Sequence, residues 1–214
     1  MLPRLTRALG LPLSRKAQRL SFTMARARMA CLYRWRLRSC GRHSIILRPL
    51  FWTPEFVSIG RDVLIWTGSR IEAVPLGGSD GPSRPHIIFG DGVTVQQNCH
   101  LTAGGTIEIG AGSTLLSDVM ITDLDHSYED YGTRIIDQPI VQRPTRLGRN
   151  CFIGSGARIL AGTTLGDQCV VGANAVVRGS FPSGAVIAGI PGRIIRQYDP
   201  QSRRWDRVGQ DTHD

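Results

Sequence analysis

The chain has 214 residues, enough for one substantial core or two small ones. Its 25 glycines point to many turns rather than long helices, and no apolar run reaches the roughly 18 residues that a membrane span needs. The net charge of +9 is confined to the first quarter: before Glu55 stand eleven Arg and Lys16 with no acid, while the remaining 14 basic residues (26 − 12) face 17 acidic ones.

Residues 1–54 therefore read as a basic arm and lead-in. The arm lacks an uninterrupted apolar segment followed by a small-residue cleavage site, so a secretory signal is not expected. Phe22, Ala25, Met29, Leu32 and Tyr33 fall near one helical face, with Arg19, Arg26 and Arg34 off it. "YRWRLRS" equally fits a strand alternating by two. An arginine-rich, acid-free arm suits an anionic membrane surface, resembles a mitochondrial transit segment, and suits nucleic acid less well.

From residue 55 an aliphatic residue recurs every six positions. Ile59, Ile65 and Ile71 make the first set, and the turn-rich "PLGGSDGPSRP" (75–85) follows. Phe89, Val95, Leu101 and Ile107 resume the beat. Ile109, Leu115 and Ile121 continue it two residues out of phase, which predicts a small insertion near 106–109. "ITDLDHSYED" (121–130) then opens about twenty residues without the spacing. Leu147, Ile153, Ile159, Leu165, Val171 and Val177 restore it strictly, with small residues four places after the first five: Cys151, Ala157, Thr163, Cys169 and Ala175. Gly148, Gly154, Gly166 and Gly172 follow their aliphatic residues directly, where backbone freedom near a corner is expected. Cys99, Cys151 and Cys169 share one place in the hexad, so small buried packing in a reducing compartment is the expected role of these thiols.

A period of six is neither helical nor that of a long strand. It fits a short extended segment followed by a corner, repeated as a solenoid in which each coil buries its inner side chains against its neighbours. "LGRNCFIGSGARILAGTTLGDQCVVGANAVVRG" resembles the hexapeptide-repeat acyltransferases, and "PSGAVIAGIPGRIIR" (182–196) is similar to the closing segment of their sugar O-acetyltransferase branch. "TDLDHSYEDYGTRIIDQPI" resembles the capsular and exopolysaccharide, colanic-acid-type acetyltransferases. The resemblance implies an all-β fold: a left-handed parallel β-helix of about five coils over residues 55–198, with one extruded active-site loop (127–146), the basic arm before it and a polar tail (199–214) after it. It also implies a homotrimer and a cytoplasmic enzyme, peripheral at the inner membrane face if the arm docks there.

A stack of flat faces has no pocket, and a loop leaving it creates one. His126 stands at the root of that loop. An imidazole there suits acyl transfer from a thioester to a hydroxyl, because histidine ordinarily titrates near neutrality and can take the hydroxyl proton during attack. By resemblance, His126 is the catalytic base and Asn98 in "QQNCHL" binds the acceptor. Ser155 in "IGS" presents a backbone amide to the thioester carbonyl, and Ala173, Arg178, Gly179, Arg193 and Arg196 contact coenzyme A. The implied function is O-acetyl transfer from acetyl-CoA to a sugar hydroxyl in polysaccharide or lipopolysaccharide biosynthesis, with no metal required. Serine or an antibiotic is the alternative acceptor. Asp123 and Asp125 either orient the imidazole or face water. A γ-class carbonic anhydrase shares the coil but needs a close histidine pair, whereas His86, His100 and His126 are 14 and 26 residues apart. A non-catalytic scaffold has no use for a loop rooted on a histidine.

Overall fold

The computed structural model describes residues 13–76 and 85–208. Residues 1–12 of the arm, most of the turn-rich segment 75–85 and the end of the polar tail (209–214) lie outside the described residues.

Short parallel strands wind into a coil with three flat faces. Among the described residues, the first face has seven strands, from Ser39–Cys40 to Ser180–Phe181, and the third has six, from Phe51–Trp52 to Val176–Val177. The second face runs from Ile45–Ile46 to Ala185–Ala188 and continues antiparallel into Arg193–Asp199 and Arg204–Arg207, making nine strands. These faces make six complete turns and part of a seventh. The sequence count of about five rises because residues 39–52, read as lead-in, already form a turn. The start of the polar tail is likewise a strand, Arg204–Arg207.

Register explains the period of six. Ile46, Ile65, Val95, Leu115, Ile153, Val171 and Ile187 pair in line down the second face. Ile71, Leu101, Ile121, Ile159 and Val177 do so down the third. Each side chain stacks on the equivalent one in the next coil, and these residues are buried in one continuous core. The two extra residues lie just before the expected 106–109, which is itself a strand: they are Gly104–Gly105, lengthening the turn after His100–Ala103.

The hexad glycines serve a purpose the sequence did not show. Gly60, Gly90, Gly110, Gly148 and Gly166 form a column at the corner between the first and second faces, and none has a positive φ. A Cβ on Gly110 would lie 2.4 Å from the carbonyl carbon of Gly148, and one on Gly148 would lie 2.5 Å from that of Gly166. Close backbone approach, rather than conformational freedom, requires them. Positive φ falls two residues later, on Asp62, Gly92, Gly112, Asn150 and Gln168.

The cysteines pack as small residues, but at two corners. Cys151 and Cys169 precede the second face and Cys99 precedes the third. Their thiols donate to the carbonyls of Gly166, Pro182 and Leu116 at 3.1 to 3.2 Å. Burial pushes the Cys99 thiol up to about 11, which makes it a poor nucleophile.

A helix over Leu13–Arg28, extended by one π-helical turn at Met29–Tyr33, covers the first coil. Phe22 and Ala25 pack on Ile45, Leu47, Leu64 and Trp66, and Tyr33 meets Trp52 edge-on at 4.7 Å. An open solenoid end exposes its core, so this contact caps the stack.

Gly148→Ala tests the glycine column. The added methyl has no room between coils, and overpacking of this kind costs about 1–3 kcal/mol. Chemical denaturation of the variant should show a midpoint lowered accordingly.

Candidate active site

The interrupted rhythm is a two-stranded hairpin thrown out of the corner between the third and first faces. Leu124–His126 pairs antiparallel with Ile140–Gln142, His126 lying opposite Ile140, and the Ser127 N–H donates to the Pro139 carbonyl at 3.0 Å. The tip is folded on itself by buried Gln138. Its amide donates to the carbonyls of Asp130 and Thr133, each at 3.0 Å, and accepts from the Asp130 N–H at 3.2 Å. At the neck, the Arg143 N–H donates to the Asp123 carbonyl at 2.8 Å and buried Thr145 donates through its hydroxyl to the Thr122 carbonyl at 2.8 Å.

Asp123 neither faces water nor orients the imidazole. It is fully buried, and its carboxylate accepts the N–H groups of Gly104 and Gly105 at 2.7 and 2.9 Å, with a further hydrogen bond to the Gln142 side chain. A Cβ on Gly105 would strike the Gln142 amide at 1.6 Å. The two extra residues of the preceding coil and the hairpin of this one are thus locked together through Asp123. Burial pushes its carboxyl above the ordinary range, against the opposing pull of these donors.

Asp125 takes part in a different arrangement. It accepts a hydrogen bond from Arg178 and an ion pair from Arg143 at 3.3 Å. The Arg178 guanidinium, with the Arg143 charge, holds the Asp125 carboxyl below the usual carboxylate range. Arg178 follows the last strand of the third face, so this bridge ties the hairpin root to a coil farther along the stack. Arg143 was not visible as a site residue in the sequence. Its relation to Asp125 exists only because the hairpin folds antiparallel. His126 itself is exposed, and among the described residues its imidazole has no hydrogen-bond or ion-pair partner.

The other site residues divide between the two edges of the third face. His126, Arg178 and Gly179 lie at the edge where the third face gives way to the first. Asn98, Ser155 and Ala173 lie at the edge where the second gives way to the third. Six residues separate Ala173 from Gly179, roughly 20 Å of extended chain. Within one chain the strand Val176–Val177 lies between them, so the two groups stand at opposite ends of the third face.

Asn98 has φ +58° and sets its side chain over Gly68, as Asn150 does over Gly112 and Asn174 over Gly156. It occupies a repeating corner position as well as its place at this edge. The Ser155 carbonyl accepts from the Asn174 N–H at 2.9 Å, and its hydroxyl accepts from Ser117 at 3.3 Å. Its own N–H has no acceptor among the described residues, leaving it available to a carbonyl oxygen. Arg193 and Arg196 lie on the antiparallel strand, opposite Ala188 and Val186. Gly172, beside Ala173, also packs near Ala188, which brings Arg193 toward the edge that carries Ser155. Among the described residues no group of three His, Cys, Asp or Glu side chains is arranged to hold a metal ion. His86 instead hydrogen-bonds Ser58 at 2.8 Å.

Residues 144–178 match the family described as the hexapeptide repeat of succinyl-transferase. The chain is 30% identical over 160 residues to WbbJ of Escherichia coli, named as a candidate O-acetyl transferase of lipopolysaccharide biosynthesis, covering 71% of this chain and 77% of that one. It is 32% identical over 160 residues to a candidate acetyltransferase of Mycobacterium tuberculosis, Rv3034c, covering 71% of this chain but only 53% of that one. The fold matches a variant of AntD, an N-acyltransferase from Bacillus cereus solved with dTDP and coenzyme A. The TM-score is 0.66 and the identity 18%, over 80% of this chain and 89% of that one. The solenoid is accordingly a left-handed parallel β-helix.

Asp123→Ala should loosen the hairpin root. Two buried N–H groups lose their acceptor at about 1–3 kcal/mol each, so a loss of about 2–6 kcal/mol is expected in denaturant titrations. The pH dependence has a definite sign. The folded state holds the Asp123 proton more tightly than the unfolded state, so this group's contribution declines as pH rises from about 3.9 through its raised folded value. Asp123→Asn should remove that decline.

Proposed function

Since the chain belongs to the hexapeptide-repeat acetyltransferase family, we propose that it transfers an acetyl group from acetyl-CoA to a sugar hydroxyl in lipopolysaccharide or polysaccharide synthesis in the cytoplasm. The observation that carries this reading is His126: a solvent-facing imidazole without a partner among the described residues, on a hairpin root fixed by Asp123 from below and by Asp125 and Arg178 from the side.

In this reading a ring nitrogen of His126 removes the acceptor hydroxyl proton as the oxygen attacks the thioester carbonyl carbon. The Ser155 N–H donates to the oxyanion that forms. The C–O bond forms in that attack; the oxyanion's electron pair then restores the carbonyl as the C–S bond breaks, and the imidazolium returns its proton to the departing thiolate. Arg193 and Arg196 lie exposed on the strand near Ser155 and suit the phosphates of coenzyme A. Ala173 and Gly179 leave space for the pantetheine, Arg178 has its charge divided between donor and Asp125, and Asn98 holds the acceptor.

The division of these residues between two edges supports a homotrimer. His126 of one copy would then face Ser155 and Asn98 of the next across the subunit boundary, and the second stack would exclude water. Light scattering should give three copies, and an active monomer would end this reading.

His126→Ala should lower turnover by about 10²- to 10⁴-fold while fold and acetyl-CoA binding persist. Thiol release from acetyl-CoA with a panel of sugar acceptors reports it, and near-normal turnover would remove His126 from the mechanism. Mixing His126→Ala chains with Asn98→Gly chains, which keep the positive φ, tests the shared site. Randomly mixed trimers should regain activity at about a quarter of their sites if each site draws on two copies.

A further inference from the structure

The outward side of the capping helix has no place in catalysis. Its inner side, Phe22, Ala25 and Met29, is used up against the coil. On the opposite side Leu20, Met24 and Ala27, at i, i+4 and i+7, face solvent, with Leu20 61% and Met24 47% exposed. Just beyond the helix, Leu32 is exposed and Trp35 is 82% exposed. Arg15, Arg19 and Arg26 run along one flank, and Arg34 and Arg36 follow. All are exposed, and none is in an ion pair among the described residues. On that flank a cavity of about 340 Å³ opens between the helix and the first coil, with Met29 and Ile45 as floor and Arg26 and Arg34 in its lining. Nη2 of Arg28 is buried with no hydrogen-bond partner among the described residues.

We propose that this face is a docking surface for an anionic lipid bilayer, the apolar stripe entering the interface and the flanking arginines holding phosphate headgroups. Charge decides between occupants. With no acid before Glu55, a second copy laid against this face would set arginine against arginine. A nucleic acid would neutralise the arginines but give Leu20, Met24 and Leu32 nothing to bury against. An anionic membrane satisfies both halves, and the exposed tryptophan is a residue favoured at membrane interfaces. The surface lies at the first coil and is built apart from His126, so it stands or falls independently of the acetyl-transfer reading.

The test is flotation of the full chain with vesicles of phosphatidylcholine alone and of phosphatidylcholine mixed with phosphatidylglycerol. At about 0.1 M salt the protein should partition at least about tenfold more strongly onto the anionic vesicles. Binding should weaken toward about 1 M, where the Debye length falls from about 10 Å to about 3 Å. The double variant Leu20→Glu, Met24→Glu changes only exposed positions. It should lose about tenfold or more in partitioning, with circular dichroism and turnover on a soluble acceptor unchanged. Independently, anionic vesicles should blue-shift the tryptophan fluorescence, and Trp35→Phe should abolish most of that shift. Equal binding to both vesicle types, a double variant that floats like the wild type, or a blue shift retained in Trp35→Phe would each overturn the proposal.

Discussion

The structure depends on how closely successive coils approach at their corners. At the glycine column the backbones are so near that no Cβ fits between Gly110 and Gly148 or between Gly148 and Gly166. Parallel strands can then pair in register on all three faces, and each aliphatic residue stacks on its counterpart one coil away. The same approach makes the faces flat. A stack so regular buries a core efficiently but has no concavity in which to hold a substrate.

A catalytic site on such a stack has to come from a departure from the repeat, and the departure must be anchored. Here the extra pair Gly104–Gly105 in one coil presents two N–H groups, and Asp123 of the next coil accepts both from beneath the hairpin. A buried carboxylate with satisfied hydrogen bonds fixes the direction in which the hairpin leaves. The Asp125–Arg178 bridge adds a lateral tie. It is largely exposed, so solvent screening limits its strength, and its value is geometric rather than energetic. His126 is consequently held by the scaffold through its neighbours, while its own ring engages none of the described residues. The opposite edge of the third face carries Ser155, whose N–H, without an acceptor among the described residues, is equally a product of coil geometry.

The arm illustrates how one short helix can serve two surfaces. Its inner residues close the open end of the solenoid, which would otherwise expose Ile45, Leu47 and their neighbours. Its outer residues are free to meet something else because the inner contact already stabilises the helix.

Much of this was determined by the sequence alone. The six-residue spacing fixed the solenoid, since only a repeated strand-and-corner unit puts Leu147, Ile153 and Ile159 all inward. The place where the spacing failed marked the hairpin, and the two-residue phase slip marked the Gly104–Gly105 turn, because both are departures from a one-dimensional pattern. Tertiary structure alone decided what lies on either side of those departures. That Asp123 reaches back to the preceding coil, that Arg178 meets Asp125 53 residues away, and that Asn98 and Ser155 sit an edge apart from His126 are facts of the winding. The extra turn at residues 39–52 escaped the count for a related reason: it carries Cys40 and Trp52 where later coils have the aliphatic Ile59 and Ile71. Periodicity records which residues point inward. It does not record which corners the coil brings together, because that depends on where each turn closes.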